Sequence, residues 1–212
     1  NKVLMISVYS IKPQFQRVLT PILELLHHAK VTANQITLWA CVLSLVIGIL
    51  FWFAGDVGTW LYLCLPVGLL IRMALNALDG MMARRYNQIT RKGELLNEVG
   101  DVVSDTIIYF PLLKYHPESL YFIVAFIALS IINEYAGVMG KVLSAERRYD
   151  GPMGKSDRAF VLGLYGVVCL FGINLSGYSV YIFGVIDLLL VLSTWIRIKK
   201  TLKVTRNSQT PE

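Results

Sequence analysis

Long apolar runs, separated by short polar segments, dominate the pattern of this chain. Six of these runs are close to the roughly 20 residues that a helix needs to cross a hydrocarbon core about 30 Å thick. The runs lie at about 36–54, 57–82, 93–113, 119–141, 158–174 and 177–196. The pattern therefore predicts an all-α polytopic membrane protein with six transmembrane helices.

The segment before the first run has a mixed pattern. Apolar residues recur there at helical spacing between residues 10 and 28, and charged residues lie on the remaining faces. A helix of this kind lies in the plane of the membrane interface. We therefore predict one domain over residues 1–212, with an interfacial amphipathic helix at 10–30, a six-helix bundle at 34–200 and a flexible tail at 201–212.

Composition agrees with a membrane protein, and the distribution of charge predicts its orientation. Hydrophobic residues make up 55% of the chain and the mean hydropathy is +0.57, well above the values of soluble domains. Lys and Arg concentrate before the first run, between the second and third, between the fourth and fifth, and after the sixth, as in cytoplasmic loops. We expect a multi-pass protein of the cytoplasmic (inner) membrane with both termini in the cytoplasm. The net charge of +6 then reflects topology and anionic lipid headgroups rather than a nucleic-acid partner.

Two adjacent runs contain polar residues at fixed spacing. The pattern reads Asn76-x-x-Asp79-Gly80-x-x-Ala83-Arg84, eight residues, then Gly93-x-x-x-Asn97-x-x-x-Asp101. An ionisable group at the centre of a membrane helix costs about 2.5–3.5 kcal/mol on insertion scales, so a cluster of such groups marks a functional site. We interpret this motif as an active site at the cytoplasmic side.

Helix geometry predicts the depth of each polar residue of the motif. With a rise of about 1.5 Å per residue and two antiparallel neighbours, Asp79 lies level with Asn97. By the same reasoning Asn76 lies level with Asp101. Successive residues turn by about 100°, which places five polar side chains of the third run on one face. These are Glu94, Asn97, Glu98, Asp101 and Asp105.

Carboxylate and amide oxygens without Cys or His suit a hard cation, which indicates Mg²⁺ or Mn²⁺. The alternative is a polar seam between helices that is held by interhelical hydrogen bonds. The concentration of like charge on one face favours the cation site, because buried carboxylates need a positive partner.

The motif resembles the signature of the CDP-alcohol phosphatidyltransferases, which reads Asp-x-x-Asp-Gly-x-x-Ala-Arg, eight residues, then Gly-x-x-x-Asp-x-x-x-Asp. The segment 32–37, Thr-Ala-Asn-Gln-Ile-Thr, is similar to the start of that family's first span. Six helices with a cytosolic site are the family's architecture. Asn76 and Asn97 depart from the signature, because the family has its first and third aspartates at these positions. The chain is most similar to a divergent bacterial branch.

The resemblance implies a reaction in which an alcohol displaces CMP from CDP-diacylglycerol, with two divalent ions on the pyrophosphate. It implies that Asp101 is the general base. It also implies that the metal ligands are Asp79, Asp101, Asn76 and Asn97, and we expect Glu98 or Asp105 to restore charge lost at the asparagines. The CDP-binding residues would be Asp79, Gly80, Ala83, Arg84 and Gly93.

The acceptor is expected to contact a basic segment before the fifth run. Lys155 and Arg158 are three residues apart, so at the start of a helix they could grip one phosphate from a single face. The alternative is an ordinary positively charged cytoplasmic loop.

Several functions stay open at this point. Glycerol 3-phosphate is the favoured acceptor, with inositol, inositol phosphate or another headgroup as alternatives. A catalytically silent membrane protein that binds an ion or a nucleotide is an alternative of another class, because of the two asparagines. The expected partners are CDP-diacylglycerol, the alcohol, membrane lipids and a second copy in a homodimer.

Overall fold

The computed structural model describes the backbone of residues 12–208 and the side chains of residues 14–205. Helices make up all the regular structure of this part, which confirms the all-α prediction. The α-helices are α1 (Lys12–His28), α2 (Ala33–Val57), α3 (Cys64–Arg85), α4 (Arg91–Tyr109), α5 (Leu112–Tyr115), α6 (Leu120–Ser144), α7 (Lys155–Leu170) and α8 (Ser176–Ser208). Short 3₁₀ turns at Thr59–Leu63 and Pro117–Ser119 precede α3 and α6.

The N-terminal helix α1 lies where the amphipathic helix was predicted, although residues 10 and 11 are outside the described part of the chain. Leu19 and Leu23 are buried in a core cluster that includes Leu78 and Met82 of α3. On another face, Val18 is 73% exposed. One apolar face of α1 therefore packs on the protein, and a second remains available to lipid.

Four helical segments of the described chain are long and apolar enough to cross a membrane. They are Ala33–Val57, Thr59–Arg85, Pro117–Ser144 and Ser176–Thr205. These segments confirm a membrane protein, but the structure supports four spans by length and composition rather than the predicted six.

The two other predicted spans, α4 and α7, do not meet these criteria of length and composition, each for a different reason. The helix α4 is 19 residues long but carries six charged side chains, at Arg91, Lys92, Glu94, Glu98, Asp101 and Asp105. The helix α7 has 16 residues, which at about 1.5 Å each give roughly 24 Å, short of a 30 Å hydrocarbon core. The predicted span at 158–174 was longer at its C-terminal end, because it included the residues that follow the end of α7 at Leu170.

The C-terminal tail predicted as flexible at 201–212 is helical as far as Ser208, so that prediction is wrong for most of the segment. The side chain of Thr201 is buried, and its hydroxyl donates a hydrogen bond to the Arg197 carbonyl oxygen at 2.9 Å. Residues 209–212 lie outside the described part.

The chain divides into two compact units. The first contains α1 to α4 and the part of α7 from Ala159 onwards, and the second contains α5, α6, the first turn of α7 and α8. The motif residues all belong to the first unit, whereas Lys155 and Arg158 belong to the second.

Within the first unit, α2 packs against both α3 and α4. A methyl group on Gly68 of α3 would lie 2.7 Å from Ile47, and one on Gly48 of α2 would lie 2.7 Å from Ile107 of α4. Thr37 of α2 also contacts Asp79 of α3, and Cys41 of α2 lies against Gly100 of α4. Each pair of contacts shows the direction of one helix: α3 runs antiparallel to α2, and α4 runs parallel to it. The two motif-bearing helices are therefore antiparallel, as predicted.

Candidate active site

The loop between α3 and α4 is held against the start of α2. The Gln88 side-chain oxygen accepts a hydrogen bond from the Ala33 backbone nitrogen at 2.8 Å. Thr90 caps α4, because its hydroxyl accepts from the Gly93 backbone nitrogen at 3.0 Å. Thr32 caps α2 in a capping box with Gln35. These bonds fix where α4 begins, and hence the depth of the second half of the motif.

A hydrogen bond joins the two halves of the motif. The Asn76 amide nitrogen of α3 donates to Asp101 Oδ1 of α4 at 3.1 Å. The structure thus places Asn76 level with Asp101, as helix geometry predicted.

Asp79 is buried, and its Oδ2 accepts a hydrogen bond from the Thr37 hydroxyl at 2.9 Å. The same hydroxyl lies 3.1 Å from the Ala33 carbonyl oxygen one turn earlier in α2. Thr37 therefore orients one carboxylate oxygen of Asp79 from the neighbouring helix.

Arg72 of α3 is the third charged group of the site, and its side chain is buried. Its Nη1 lies 2.6 Å from Asp105 Oδ1, and its Nη2 lies 3.8 Å from Asp101 Oδ1. Nη2 also donates to the Asp101 carbonyl oxygen at 3.4 Å. A single guanidinium thus contacts two acidic residues that are one helical turn apart on α4.

The polar residues predicted on one face of α4 differ in their exposure. Glu94 is exposed, Asn97, Glu98 and Asp101 are partly buried, and Asp105 is buried. Exposure decreases towards Asp105, which is where the guanidinium of Arg72 supplies a charge partner. Whether Glu98 or Asp105 contributes to metal binding stays a prediction.

The small residues of the motif lie beside polar side chains. A methyl group on Gly80 would lie 3.2 Å from the Arg84 guanidinium, so this side chain covers the glycine. A methyl group on Gly93 would lie 2.5 Å from the Asn34 side-chain oxygen. Ala83 is partly buried on the same helix. In this structure the exposed Arg84 side chain lies over Gly80, and the Asn34 side chain lies against Gly93.

In the second unit, Arg158 lies in a cluster of arginines around one carboxylate. Glu134 of α6 contacts Arg147 at 2.9 Å, Arg158 at 3.0 Å and Arg197 at 3.9 Å. We call these four residues the Glu134 cluster. Lys155 is partly buried in the first turn of α7, three residues before Arg158.

The Glu134 cluster is also tied to the backbone around it. Arg158 Nη1 donates to the Met153 carbonyl oxygen at 3.2 Å, and Arg197 Nη1 donates to the Asn133 carbonyl oxygen at 2.6 Å. Three guanidinium groups against one carboxylate leave a positive excess in a buried setting. Such an excess suits an anionic ligand.

The motif residues fit a hard divalent cation by their donor chemistry. Asp79 and Asp101 offer carboxylate oxygens, and Asn76 and Asn97 offer amide oxygens, as Mg²⁺ and Mn²⁺ prefer. Within the described residues no group of three or more His, Cys, Asp or Glu is arranged to hold a metal.

Sequence reasoning missed three contributors to these sites. Arg72 is the only Lys or Arg between residues 57 and 82 and lies one helical turn before Asn76, which could have revealed it. Thr37 gave no signal beyond its place near the start of the first run. Glu134 is a single acidic residue in an apolar run, and its three arginine partners lie 13 to 63 positions away along the chain, so no local spacing indicates the cluster.

Comparison with known proteins gives matches along most of the chain. The family model for CDP-alcohol phosphatidyltransferase matches residues 30–197. The inner membrane protein YnbA of Escherichia coli is 45% identical over 161 residues, which are 76% of this chain and 79% of that protein.

Two solved structures of the phosphatidylinositol phosphate synthase of Mycobacterium tuberculosis have a similar fold. The complex with manganese and citrate has a TM-score of 0.71 at 17% identity, over 91% of this chain and 92% of that one. The form with CDP-DAG bound has a TM-score of 0.68 at 20% identity, over 89% and 94% of the two chains. Likeness at these identities shows the fold alone.

Proposed function

Because the chain belongs to the CDP-alcohol phosphatidyltransferase family, we propose that it transfers a phosphatidyl group from CDP-diacylglycerol to the hydroxyl of a small polar alcohol. The observation that supports this most directly is the Asn76–Asp101 hydrogen bond, which joins the two halves of the family motif. The relative that was solved with CDP-DAG bound supports the choice of lipid substrate.

In the proposed reaction, the hydroxyl oxygen of the acceptor attacks the phosphorus of the phosphatidyl group. A phosphorus–oxygen bond to the acceptor forms, the phosphorus–oxygen bond to CMP breaks, and CMP leaves with the electron pair. Asp101 accepts the hydroxyl proton as general base. A divalent cation held by Asp79 and Asp101, with Asn76 and Asn97, would neutralise the pyrophosphate and the leaving CMP.

The CDP moiety is assigned to the residues around the two motif glycines. Gly80 and Gly93 have no side chain and Ala83 has only a methyl group. The exposed Arg84 guanidinium, which lies beside Gly80, offers hydrogen bonds to phosphate. Asp79 belongs to this pocket and to the metal site. The relative in complex with manganese supports Mg²⁺ or Mn²⁺ as the ion.

Glycerol 3-phosphate is our preferred acceptor. The positive excess of the Glu134 cluster, together with Lys155 beside Arg158, supports an acceptor that carries a phosphate. Inositol phosphate has the same chemistry and is the first alternative. Inositol without a phosphate fits this charge less well, because it would leave the excess unneutralised.

We also propose that the protein works as a homodimer in the cytoplasmic membrane, with both termini and the active site facing the cytoplasm. The Lys and Arg distribution supports this orientation. The name of the Escherichia coli relative supports the inner membrane.

The decisive experiment measures CMP release by the purified protein in lipid nanodiscs. The assay contains CDP-diacylglycerol, Mg²⁺ or Mn²⁺, and one acceptor at a time from glycerol 3-phosphate, inositol phosphate, inositol and glycerol. We expect CMP and a new phospholipid with glycerol 3-phosphate, and none when EDTA is added. Release with an unphosphorylated acceptor alone would contradict the acceptor proposal.

Lys155 provides a sharper test of acceptor binding. We expect Lys155→Ala to raise the KM for glycerol 3-phosphate about tenfold or more and to leave the KM for CDP-diacylglycerol nearly unchanged, because the lost charge serves only one substrate. Lys199→Ala removes an exposed charge from α8 and is the matched control. Equal changes in both KM values would show that Lys155 does not recognise the acceptor.

One observation favours a second candidate function. Asn stands at two of the signature's four aspartate positions, and the amide nitrogen of Asn76 is engaged by Asp101. A catalytically silent protein that binds a cation or a CDP nucleotide would have this arrangement. Binding of CDP-diacylglycerol with no CMP release, for any acceptor or metal in the panel, would favour it.

A further inference from the structure

The charged group that the proposed reaction leaves without a role is Arg72. It is 4% exposed and lies one turn before Asn76 and two turns before Asp79, on the same face of α3. A guanidinium stays charged in proteins, so this side chain adds a permanent positive charge to the site.

The guanidinium lies between two carboxylates, as a bound cation would. Its Nη1 is 2.6 Å from Asp105 Oδ1 and its Nη2 is 3.8 Å from Asp101 Oδ1. Nη2 also bonds the Asp101 carbonyl oxygen at 3.4 Å, which fixes the plane of the group against α4. Arg72 therefore supplies, from within the chain, positive charge beside Asp101.

The Asn76–Asp101 hydrogen bond lies beside the contacts of Arg72 with Asp101. The two side-chain atoms are 3.1 Å apart, and a carboxylate can only accept a hydrogen bond, so the amide of Asn76 must present its nitrogen here. The nitrogen of Asn76 is therefore not a metal ligand, and only the side-chain oxygen of this residue can bind an ion. Asn76 and Asp101 are thus joined by a direct hydrogen bond. Two aspartates at these positions would repel each other and would need a cation between them.

The charges of the buried groups balance one divalent ion. Asp79, Asp101 and Asp105 contribute three negative charges and Arg72 contributes one positive charge, which leaves a net charge of minus two for these four groups. Glu98, one turn further towards the surface and partly buried, adds at most one more. Before the pyrophosphate of the substrate is bound, two divalent ions would exceed this negative charge, and a positive excess is costly in a low-dielectric setting.

We propose that the guanidinium of Arg72 replaces one of two metal ions and that this site binds a single Mg²⁺ or Mn²⁺. The ligands of this ion come from Asp79, Asp101 and Asn97, together with the side-chain oxygen of Asn76. The inference rests on the proposed function, since it concerns the ion which that reaction uses. Arg72 is a positioning residue, because it acts on the substrate through Asp101.

The first test counts Mn²⁺ bound to the wild-type protein in nanodiscs by electron paramagnetic resonance, without acceptor and with or without CDP-diacylglycerol. We expect one Mn²⁺ per chain, with the spectrum of an isolated ion. Two ions per chain, the spectrum of a magnetically coupled pair, or no bound Mn²⁺ would each overturn the proposal.

The second test removes the charge of Arg72. In Arg72→Met we expect the count to rise from one to two Mn²⁺ per chain, whereas Arg72→Lys, which keeps the charge, should retain one. Arg85→Met is the matched control, because Arg85 belongs to the same helix and pairs with Glu24 at the surface. A count of one in Arg72→Met would overturn the proposal.

A double variant keeps the test usable if Arg72→Met does not fold. Arg72→Met with Asp105→Asn removes both charges of the buried pair, so the net charge of minus two and the count of one ion should remain. Two ions in this variant would contradict the charge argument. Metal counting is independent of turnover: one bound Mn²⁺ without CMP release refutes the proposed function alone, and CMP release with two bound ions refutes this inference alone.

Discussion

At the scale of single residues, each motif carboxylate has a donor from another helix. Asp79 accepts from Thr37 of α2, and Asp101 accepts from Asn76 of α3. Buried carboxylates need such donors, because an unpaired charge in low dielectric is expensive. The donors also fix which way each carboxylate points, as the proposed chemistry requires.

Asp101 is the residue whose loss should matter most. We expect Asp101→Asn to lower kcat for CMP release by about 10²–10⁴-fold, the usual effect of losing a general base, because the amide cannot accept the hydroxyl proton. Asp56→Asn, at the exposed far end of α2, is the control and should keep full activity. If purified, folded Asp101→Asn released CMP at close to the wild-type rate, another residue would be the base.

Asp187 of α8 is a buried carboxylate of a different kind. It is 9% exposed, and neither side-chain oxygen has a hydrogen-bond partner among the described residues. An unsatisfied buried polar group costs about 1–3 kcal/mol. We therefore expect Asp187→Leu, which is of similar size and apolar, to raise the thermal unfolding temperature in detergent by several degrees.

The comparison variant for Asp187 is Asp187→Asn. It removes the charge but keeps the polar atoms, so its unfolding temperature should lie between those of the wild type and Asp187→Leu. A lower unfolding temperature in Asp187→Leu than in the wild type would show that the carboxylate makes a stabilising interaction.

At the scale of helices, α2 determines where the motif-bearing helices lie. It contacts α3 near Gly68 and α4 near Gly48 and Gly100, where any added methyl group would lie within 3 Å of the neighbouring helix. Such close approach is possible because glycine has no side chain. The distance between the two halves of the motif thus depends on residues that take no part in the chemistry.

Gly48 tests this dependence. A side chain there would meet the Ile107 backbone oxygen at 2.9 Å, so Gly48→Leu must push α4 away from α2. We expect a loss of about 1–3 kcal/mol in stability, as for overpacked cores, and a fall in CMP release because Asp101 moves with α4.

The matched control for Gly48→Leu is Gly177→Leu, because nothing lies within 4 Å of a methyl group at Gly177. Its unfolding temperature and activity should stay close to those of the wild type. Normal activity in Gly48→Leu would mean that the α2–α4 contact does not set the geometry of the site.

At the scale of the whole molecule, positive charge and apolar segments together determine how the chain sits in a membrane. The loops around Gly55–Asp56 and Asn174–Gly177 contain no Lys or Arg, whereas the adjoining ends of α3 and α4 carry Arg84, Arg85, Arg91 and Lys92. This asymmetry predicts that the motif end of α3 and α4 faces the cytoplasm.

Cysteine labelling tests this orientation. With the native cysteines replaced by Ala, we expect Ile89→Cys to react with an impermeant maleimide only in inverted membrane vesicles. Ile173→Cys should react only in right-side-out vesicles. Both positions are exposed, so reactivity reports sidedness. The reverse pattern would place the active site outside the cytoplasm.

Much of the fold and the motif could be predicted from the sequence because they depend on local properties. Apolar runs predict helices, and a constant rise per residue predicts that Asn76 lies level with Asp101, which the structure confirms. The family follows from residue types at fixed spacing, and the comparisons confirm it. The number of spans was overestimated because apolar content hides how charge and helix length are distributed within a run, as in α4 and α7.

Only the tertiary structure decided which distant side chains complete each site. The pairing of Arg72 with Asp105, the bond from Thr37 to Asp79 and the arginines around Glu134 each join different helices. Such contacts depend on how each helix is rotated about its axis and on how closely its neighbours approach it. The sequence by itself determined the chemistry that is present and its depth along the helices, whereas packing between helices determined which charge neutralises which.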